Sequence, residues 1–424
     1  MSVKQPKQRT WKTSKGVIKS AWIVPYSAPD PVTGRLLPRW KQFPSREAAI
    51  AFSHRTYVEL EQGTHVPDSQ SCTVAQAGEL WIKSVQAKAR ERSTTTYYET
   101  HIRLHINPRI GHLRLIDLTL PKVSAFEDNL RANVSPDMTR KVMGSLRRLL
   151  GNAQVRGLVA RNVGRDMPRD RSSGRDHEPL RIGVNFPSIE EVRQILHAAT
   201  GRWRPLLIVG AFSGLRSSEL RGLRWTDLEL TLPIGRLHVR QRLDAWGKAG
   251  PPKSKAGYRT IPLSEYVVRT LLAWKEECPQ LDMGERDGQG RPIKVRHFVF
   301  PNGAGGSENH ANITNRGWFA VQITAGLGEP MLDASGNPRF DRDGTPLMRG
   351  KYGLHSLRHF FCSWLIDRGK APKDIQVQMG HSSLVMTLDR YGHLFPRQDD
   401  ADEMARAEAA LLTPKLQVGG ARLE

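Results

Sequence analysis

A polar, charged stretch limits what the rest of the chain can fold into. The segment GRDMPRDRSSGRDHEPL, which begins at Gly164, is dense in charge and nearly free of apolar side chains. Such a composition cannot be buried in a core and is typical of a linker, which we place at residues 165–187. At 424 residues the chain is also long for one core. We therefore expect separate domains on the two sides of this linker.

The chain before the linker contains two different patterns. Residues 1–66 predict a small β-β-α module, with strands at 17–26 and 37–43 and a helix that starts after the N-cap Ser45. Eleven Lys and Arg against four Asp and Glu make this module basic. Residues 70–164 are glycine-poor and predict a helical domain. Its four expected helices are 74–88, 94–106, 116–130 and 135–156.

The chain after the linker predicts one larger domain at residues 188–398 and a tail helix at 399–424. The larger domain is expected to be mostly helical, with a small sheet at 236–263. In the tail, DDADEMARAEAALL has an apolar stripe at helical spacing. The whole chain is therefore predicted to be mainly α with small β-sheets, an α+β protein of several domains.

The net charge of +22 indicates a polyanionic partner. Basic residues are spread along the whole chain, whereas a membrane-binding protein more often concentrates them in one amphipathic helix, so nucleic acid is favoured. No apolar run is long enough to span a bilayer, and the start of the chain lacks the apolar stretch of a secretory signal. Three isolated cysteines form no CxxC pair, so we expect a cytoplasmic protein with no membrane partner.

Three segments after the linker combine residue types that suit phosphate chemistry. The first, SGLRSSELRGLRWTDL, places Arg216 just after a Ser-Gly break between two helical stretches, where an arginine can project from a helix end. The second, PPKSKAGYRTIPL, holds Lys253 and Lys255 before a predicted hairpin turn at 256–257 and a return strand. A lysine on such a hairpin can reach into a groove, although exposed lysines of this kind are common.

The third segment, residues 354–395, is the densest in such residues. His355 and Arg358 are three residues apart and share one helix face. His381 opens a later helix, and Tyr391 lies near its end, beside polar neighbours that argue against a core position. One such histidine or tyrosine alone is more often structural. Two arginines, two histidines, a lysine and a polar-flanked tyrosine together favour a catalytic site.

These residue types fit the transfer of a DNA strand. Two guanidiniums can hold the non-bridging oxygens of a phosphodiester and stabilise the charge of the transition state. A tyrosine oxygen is both a nucleophile and a leaving group, so a phosphotyrosine ester retains the energy of the broken bond without ATP. A lysine can protonate the departing 5′-oxygen, and histidines can position or relay protons. The segments hold no carboxylate cluster suited to magnesium, so we expect no metal and no other cofactor.

In order and spacing, GLRSSEL, PKSKAGYRTIPL, HSLRH, MGHSS and TLDRYGH resemble the motifs of tyrosine recombinases, and specifically of phage and mobile-element integrases. The resemblance is strong over residues 188–395 and looser over the helical region before the linker. The catalytic residues that it implies are Arg216, Lys253, His355, Arg358, His381 and Tyr391.

The resemblance also implies roles for these side chains. Tyr391 is the nucleophile, and Glu219 matches an acidic position that supports Arg216. A hairpin lysine is the general acid, and Lys253 fits that position better than Lys255.

The regions before the linker acquire roles in the same way. Residues 70–164 resemble the helical, SAM-like core-binding domain, and residues 1–66 resemble the arm-binding modules that contact distal DNA sites. The basic residues of the longest predicted helix are then expected to contact DNA. They are Arg140, Lys141, Arg147 and Arg148.

The predicted function is site-specific recombination through a 3′-phosphotyrosine, which integrates or excises a mobile element. The expected partners are double-stranded attachment sites, three further copies of the chain in a tetramer on DNA, and an accessory DNA-bending or directionality factor, all in a bacterial cytoplasm. One alternative is a resolvase of replicon dimers or a type IB-like topoisomerase, which the arm-like module disfavours. The other is an inert DNA-binding protein, which the complete motif set disfavours.

Overall fold

A computed structural model of the chain describes residues 3–14, 16–29, 35–62, 65–67, 71–88, 91–168, 179–333 and 335–395, together with Arg406, Glu408 and Ala409. The chain forms two compact units, residues 1–175 and 176–424. The centre of the predicted linker, 169–178, and nearly all of the predicted tail helix at 399–424 lie outside the described residues.

The first part of the chain is an antiparallel sheet with one helix packed on it. Its elements are β1 (Lys7–Lys12), β2 (Ile18–Pro29), β3 (Leu36–Phe43) and α1 (Arg46–Glu61). The strands lie in the order β1-β2-β3. Val24 and Tyr26 are buried on one face of β2, and the Tyr26 ring meets Phe52 of α1 edge-on at 5.8 Å. Ser45 caps α1 by accepting from the Ala48 N–H.

Strand β1 is an element that the sequence analysis does not predict, so the expected β-β-α module is a β-β-β-α module. All six residues of β1 are exposed, and its sequence KQRTWK has no apolar alternation that would signal a strand. The strand is defined by its pairing with β2, in which Lys7 lies opposite Ile23 and Lys12 opposite Ile18.

Residues 71–168 form a helical region around a core that includes Trp81 and Leu146. Its helices are α2 (Val74–Ala87), α3 (Arg92–His101), α4 (Asn107–Ile110), α5 (Leu120–Asn133), α6 (Pro136–Val155) and α7 (Val163–Asp166). A π-helical stretch, Ile102–Ile106, joins α3 to α4. Helix α5 begins later than the 116–130 prediction, because Pro121 is accommodated only in the first turn of a helix.

Residues 179–395 form a second region. Its helices are α8 (Ile189–Ala198), α9 (Trp203–Ser213), α10 (Ser217–Arg221), α11 (Glu265–Glu277), α12 (His310–Asn312), α13 (Ala320–Thr324), α14 (Ser356–Asp367), α15 (Pro372–Met379) and α16 (Leu384–Tyr391). A π-helical stretch, Ile313–Phe319, joins α12 to α13. Helix α9 is apolar and almost wholly buried, and it packs against α14 and α11. It is therefore the central element of this core.

The strands of the second region lie in small sheets. They are β4 (Leu228–Glu229), β5 (Gly235–Val239), β6 (Arg242–Leu243), β7 (Ala249–Gly250), β8 (Arg259–Leu263), β9 (Leu281–Arg286), β10 (Pro292–Val295), β11 (Gly328–Pro330) and β12 (Met348–Gly350). The antiparallel sheet β4-β5-β8 is the one predicted at 236–263. The hairpin turn predicted at 256–257 is wrong, because Lys255–Gly257 is a 3-10 turn that leads into β8. The turn lies instead at 244–248, between β6 and β7.

One turn geometry recurs in the loops of this region. An Asp or Asn side-chain oxygen accepts from the backbone N–H groups two and four residues later, at 2.8–3.0 Å. The residue three positions after the Asp or Asn is a glycine with φ between 76° and 86°, a conformation that favours glycine. The turns start at Asp244, Asp287, Asn302, Asp333 and Asp341.

Candidate active site

The start of the site is a helix end that requires glycine. Gly214 closes α9 with a left-handed φ of 58°, and a Cβ there would lie 2.5 Å from a ring carbon of Phe361. Arg216 follows in extended backbone as the N-cap of α10. Its side chain therefore projects from the junction of two helices, as the sequence predicts.

A buried carboxylate holds Arg216. The Arg216 Nη1 donates to Glu219 Oε1 at 2.7 Å, and the Arg216 backbone N–H donates to Glu219 Oε2 at 3.0 Å. The same Oε2 accepts from Arg259 Nη2 at 3.0 Å. Burial alone raises the pKa of Glu219, but the charges and hydrogen bonds of Arg259 and Arg216 outweigh it and hold the pKa below its ordinary value. The carboxylate is therefore ionised and fixes both guanidiniums.

Three arginines donate to three consecutive backbone carbonyls, those of residues 378–380, where α15 ends. Arg259 Nε donates to the first at 2.7 Å, Arg358 Nη2 to the second, and Arg216 Nη2 to the third at 3.2 Å. The C-terminal end of a helix carries partial negative charge, which favours cationic side chains. These bonds join α10, β8 and α14 to the chain segment that leads into α16.

Arg358 is the more deeply buried of the two predicted phosphate-binding arginines. It is 3% exposed, and its Nη1 donates to the carbonyl of Gly214. Burial and the charges of Arg216 and Arg259 lower the pKa of Arg358 to about 9. The guanidinium remains charged at neutral pH, and an anion bound beside it would offset the repulsion.

Two histidines lie beside these arginines. His355 is the N-cap of α14, and His381 follows α15, with its Nδ1 2.8 Å from Thr387 Oγ1. Desolvation by the surrounding protein and the charge of Arg358 lower the pKa of His355 to about 4 and that of His381 to about 3. Both rings are therefore neutral at pH 7 and can act as hydrogen-bond donors or acceptors.

Tyr391 ends α16 and is only 1% exposed. The expectation that its polar neighbours keep it out of the core is wrong, because the ring packs with Cys362 in a small cluster of buried residues. Its hydroxyl lies 2.6 Å from the Nδ1 of His359, and its ring stacks near His381 at 6.5 Å. Burial and the Cys362 thiol raise the pKa of Tyr391 above its ordinary value, so the phenol is protonated at neutral pH.

His359 is a hydrogen-bond partner of the Tyr391 hydroxyl. Burial and the neighbouring His355 ring lower the pKa of His359 to about 3, so the ring is neutral and its Nδ1 can receive the phenolic proton in a hydrogen bond. His359 lies one helical turn after His355, and the two rings meet edge-on at 4.8 Å. The buried ring thus fixes the hydroxyl of the predicted nucleophile.

The sequence analysis does not single out Arg259 or His359. A signal for Arg259 is present in β8, where Arg259, Ile261 and Leu263 alternate with exposed residues and so share the inward face. His359 could have been found from its spacing to His355, since residues four apart lie on one face of a helix.

The predicted general-acid lysines lie in the segment between β7 and β8. Lys253 and Lys255 are both exposed there, and Arg259 opens the strand that follows.

The predicted DNA-contacting residues lie on α6. Arg140, Lys141 and Arg148 line one surface groove together with Tyr97 and Tyr98. Arg140 and Lys141 also pair with Asp137 on the same helix. Arg147 differs from the others, because its Nε donates to the carbonyl of Gly164 at 2.8 Å and so ties α6 to α7.

Comparison with known proteins identifies the second region. A model of the phage integrase family matches residues 188–398, half of the chain. The chain belongs to this family of tyrosine recombinases. Its members are DNA strand-transferases, which cut and rejoin DNA.

Relatives of this family extend beyond the matched region. A XerC-like tyrosine recombinase of Caldanaerobacter subterraneus is 24% identical over 80% of this chain and 83% of its own length. The prophage integrase IntR of Escherichia coli is 26% identical over 81% of this chain and 80% of its own length.

Solved integrases share the fold. The Tn1549 transposon integrase in complex with transposon right end DNA covers 80% of this chain and 99% of its own, with a TM-score of 0.57 at 20% identity. A lambda integrase tetramer bound to a Holliday junction covers 91% and 94%, with a TM-score of 0.51 at 16% identity.

In the described part of the chain, no helix combines the length and apolar character needed to cross a membrane. The same part of the chain also contains no group of three or more His, Cys, Asp or Glu side chains that could hold a metal ion.

Proposed function

We propose that this site-specific tyrosine recombinase integrates or excises a mobile element through a 3′-phosphotyrosine intermediate on Tyr391. The observation that carries the proposal is the convergence of Arg216, Arg358, His355 and His381 around the buried Tyr391. This set provides cationic donors for a phosphate, neutral proton-relay groups and one oxygen nucleophile in a single site. The relatives described above, a prophage integrase among them, support the integrase role.

In the proposed cleavage step, Arg216 and Arg358 donate to the non-bridging oxygens of the scissile phosphate. The phenolic oxygen of Tyr391 forms a bond to phosphorus, and the bond from phosphorus to the 5′-oxygen breaks. Lys253 donates the proton that the 5′-oxygen gains. The phenolic proton leaves through the hydrogen-bonded groups beside it, and attack by a 5′-hydroxyl of another strand reverses every step.

The phosphate changes the electrostatics on which these groups depend. Desolvation and crowded arginines lower the pKa values of Arg358, His355 and His381 in the protein without DNA. An anion between them favours the protonated forms and raises all three pKa values. The site is thus prepared for negative charge, and substrate binding relieves the repulsion.

The regions before residue 188 are also proposed to bind DNA. On α6, Arg140, Lys141 and Arg148 provide charge beside two tyrosines, a combination suited to a sugar-phosphate backbone. The basic β-β-β-α module is proposed as an arm-site binder. The tetramer on DNA is proposed by analogy with the lambda integrase tetramer on a Holliday junction. An accessory bending or directionality factor is proposed from the family resemblance alone.

The test of this proposal is covalent capture. Nicked duplexes of randomised sequence are incubated with the chain, and DNA that stays attached after denaturation is amplified to yield a cleavable site. The native chain should form an adduct on that site, and Tyr391→Phe should bind the same DNA without forming one. An adduct that persists in Tyr391→Phe would refute the assignment of the nucleophile, and DNA binding without any adduct in the native chain would favour an inert DNA-binding protein.

A further inference from the structure

Arg259 is a buried arginine whose three nitrogen atoms all donate to the protein. Its side chain is 2% exposed. Its Nε donates to the carbonyl of Gln378 at 2.7 Å, its Nη1 to that of Gly257 at 3.0 Å, and its Nη2 to Glu219 Oε2 at 3.0 Å. A guanidinium is a rigid planar fork, so these bonds fix the relative positions of three chain segments.

Each of the three segments carries a different part of the proposed machinery. Gly257 ends the turn Lys255–Gly257, which contains one predicted general-acid lysine and lies just after the other, Lys253. Glu219 holds Arg216, which is proposed to bind the phosphate. Gln378 lies three residues before His381, in the helix end that leads to the nucleophile's helix. Arg259 is therefore bonded to the lysine segment, to the support of a phosphate-binding arginine and to the histidine segment.

The lysine segment also packs tightly where Arg259 holds it. A Cβ on Gly380 would lie 2.9 Å from the carbonyl oxygen of Ala256 and 3.0 Å from Arg259 Nη1. A Cβ on Gly257 would lie 2.5 Å from the Cβ of Pro252. The turn before β8 thus lies directly against the helix end that precedes His381, and little movement is possible without a change in these contacts.

We infer that Arg259 is a positioning residue that fixes the general-acid lysine relative to the scissile phosphate, by tying the turn at Lys255–Gly257 to Glu219 and to the end of α15. The inference rests on the proposed function. Lysine at position 259 would keep the positive charge but would offer one nitrogen in place of three. It could not reach acceptors on three sides, so the lysine segment would lose its fixed position while the buried charge pair with Glu219 was kept.

The experiment compares R259K with the native chain on two substrates that carry the cleavable site found by covalent capture. One is an ordinary duplex, and the other carries sulfur in place of the bridging 5′-oxygen. A thiolate leaves without a proton, so the second substrate does not need the general acid. We expect R259K to cleave ordinary DNA roughly a hundredfold more slowly, a loss of the size that a displacement of about 1 Å causes. On the sulfur substrate we expect a rate within about threefold of the native rate, because only proton donation has been impaired.

The ratio of the two rates makes the result independent of folding. It reports only on molecules that are active, so a partly unfolded R259K sample lowers both rates equally. A matched control is Arg269→Lys on the exposed face of α11, which should leave both rates unchanged. An equal loss on both substrates, or no loss on ordinary DNA, would overturn the inference.

Failure of the inference is distinguishable from failure of the proposed function. Lys253→Ala and Lys255→Ala are measured on the same two substrates, and sulfur rescue of either one identifies the general acid without reference to Arg259. If neither lysine variant is impaired on ordinary DNA, the proposed acid is wrong. If a lysine variant is rescued and R259K is not, the proposed function stands and the positioning role of Arg259 is refuted.

Discussion

Substitution of Glu219 by glutamine tests the buried charge network directly. The two carboxylate oxygens accept from Arg216 and from Arg259, and the side chain of Arg259 is 2% exposed. Glutamine has the same shape but no charge, and its amide N–H₂ would face a guanidinium donor. Removing one partner of a buried ion pair costs about 3–5 kcal/mol, because the remaining charge stays buried without compensation. For a domain of this size the melting temperature should fall by roughly 6–20 °C.

Urea unfolding of the full-length chain measures this loss. Hydrogen exchange of peptides that cover α10 and β8 reports on the second unit, because the two units can unfold separately. Glu265→Gln is the matched control: Glu265 pairs with Arg269 at 2.7 Å, but both side chains are exposed, so the loss should stay below about 1 kcal/mol.

The pH dependence provides an independent check. The pKa of Glu219 is lower in the folded chain than its ordinary value, so the carboxylate contributes stability that is fully present above the unfolded-state pKa. That contribution is lost as the pH falls through the folded-state value. The stability difference between the native chain and Glu219→Gln should therefore be constant near neutral pH and shrink in acid. A difference below about 1 kcal/mol at pH 7 would refute the reasoning, since the charge would then not hold the arginines.

Three further predictions concern the site and the tail. Arg216→Ala and Arg358→Ala should each lower the rate of covalent adduct formation by roughly a hundredfold or more, because a transition-state donor is lost, and a near-native rate in either would show that the arginine is misassigned. His359→Phe should lower stability by about 1–3 kcal/mol because it removes the hydrogen bond between His359 and the buried hydroxyl of Tyr391. A double-mutant cycle with Tyr391→Phe should show coupling between the two, and strict additivity would contradict the hydrogen bond. Truncation after Arg397 should leave binding of one protomer to DNA nearly intact but weaken assembly and strand exchange. The reason is that the predicted amphipathic tail needs a surface on which to bury its apolar stripe. Full tetramer formation by the truncated chain on size-exclusion chromatography with DNA would contradict this.

The order of the motifs, and the residues that end one helix and begin the next, made much of the site predictable. Gly214 ends one helix and Arg216 starts the next, as the Ser-Gly break indicates, and His355 and Arg358 lie close together because they are three residues apart. The burial of Tyr391 was not predictable from its neighbours along the chain. The α16 helix turns that side chain inward while Arg390 remains exposed, and its packing against buried residues of α14 and α15 determines this.

Contacts between distant segments explain the other differences. Arg259 resembles one more basic residue in a basic motif, and its importance depends on Glu219 and on the carbonyl of Gln378, which are remote in sequence. Strand β1 carries no apolar pattern because neither of its faces is buried, so pairing with β2 alone defines it. The turn at 244–248 differs from these, because its Asp-x-x-Gly pattern is a local signal that predicts such a turn.

The recurring Asp/Asn-x-x-Gly turn has a consequence for how this protein can vary. Each copy is closed by one side chain and one glycine, so the intervening positions are free to change without loss of the turn. The hairpins that contain Asp287 and Asp341 are closed by local hydrogen bonds and lie on the surface. They are therefore places where lineages can exchange or lengthen sequence while the cleavage chemistry is preserved. The same independence makes them suitable sites for an inserted epitope or a fluorophore that reports on assembly.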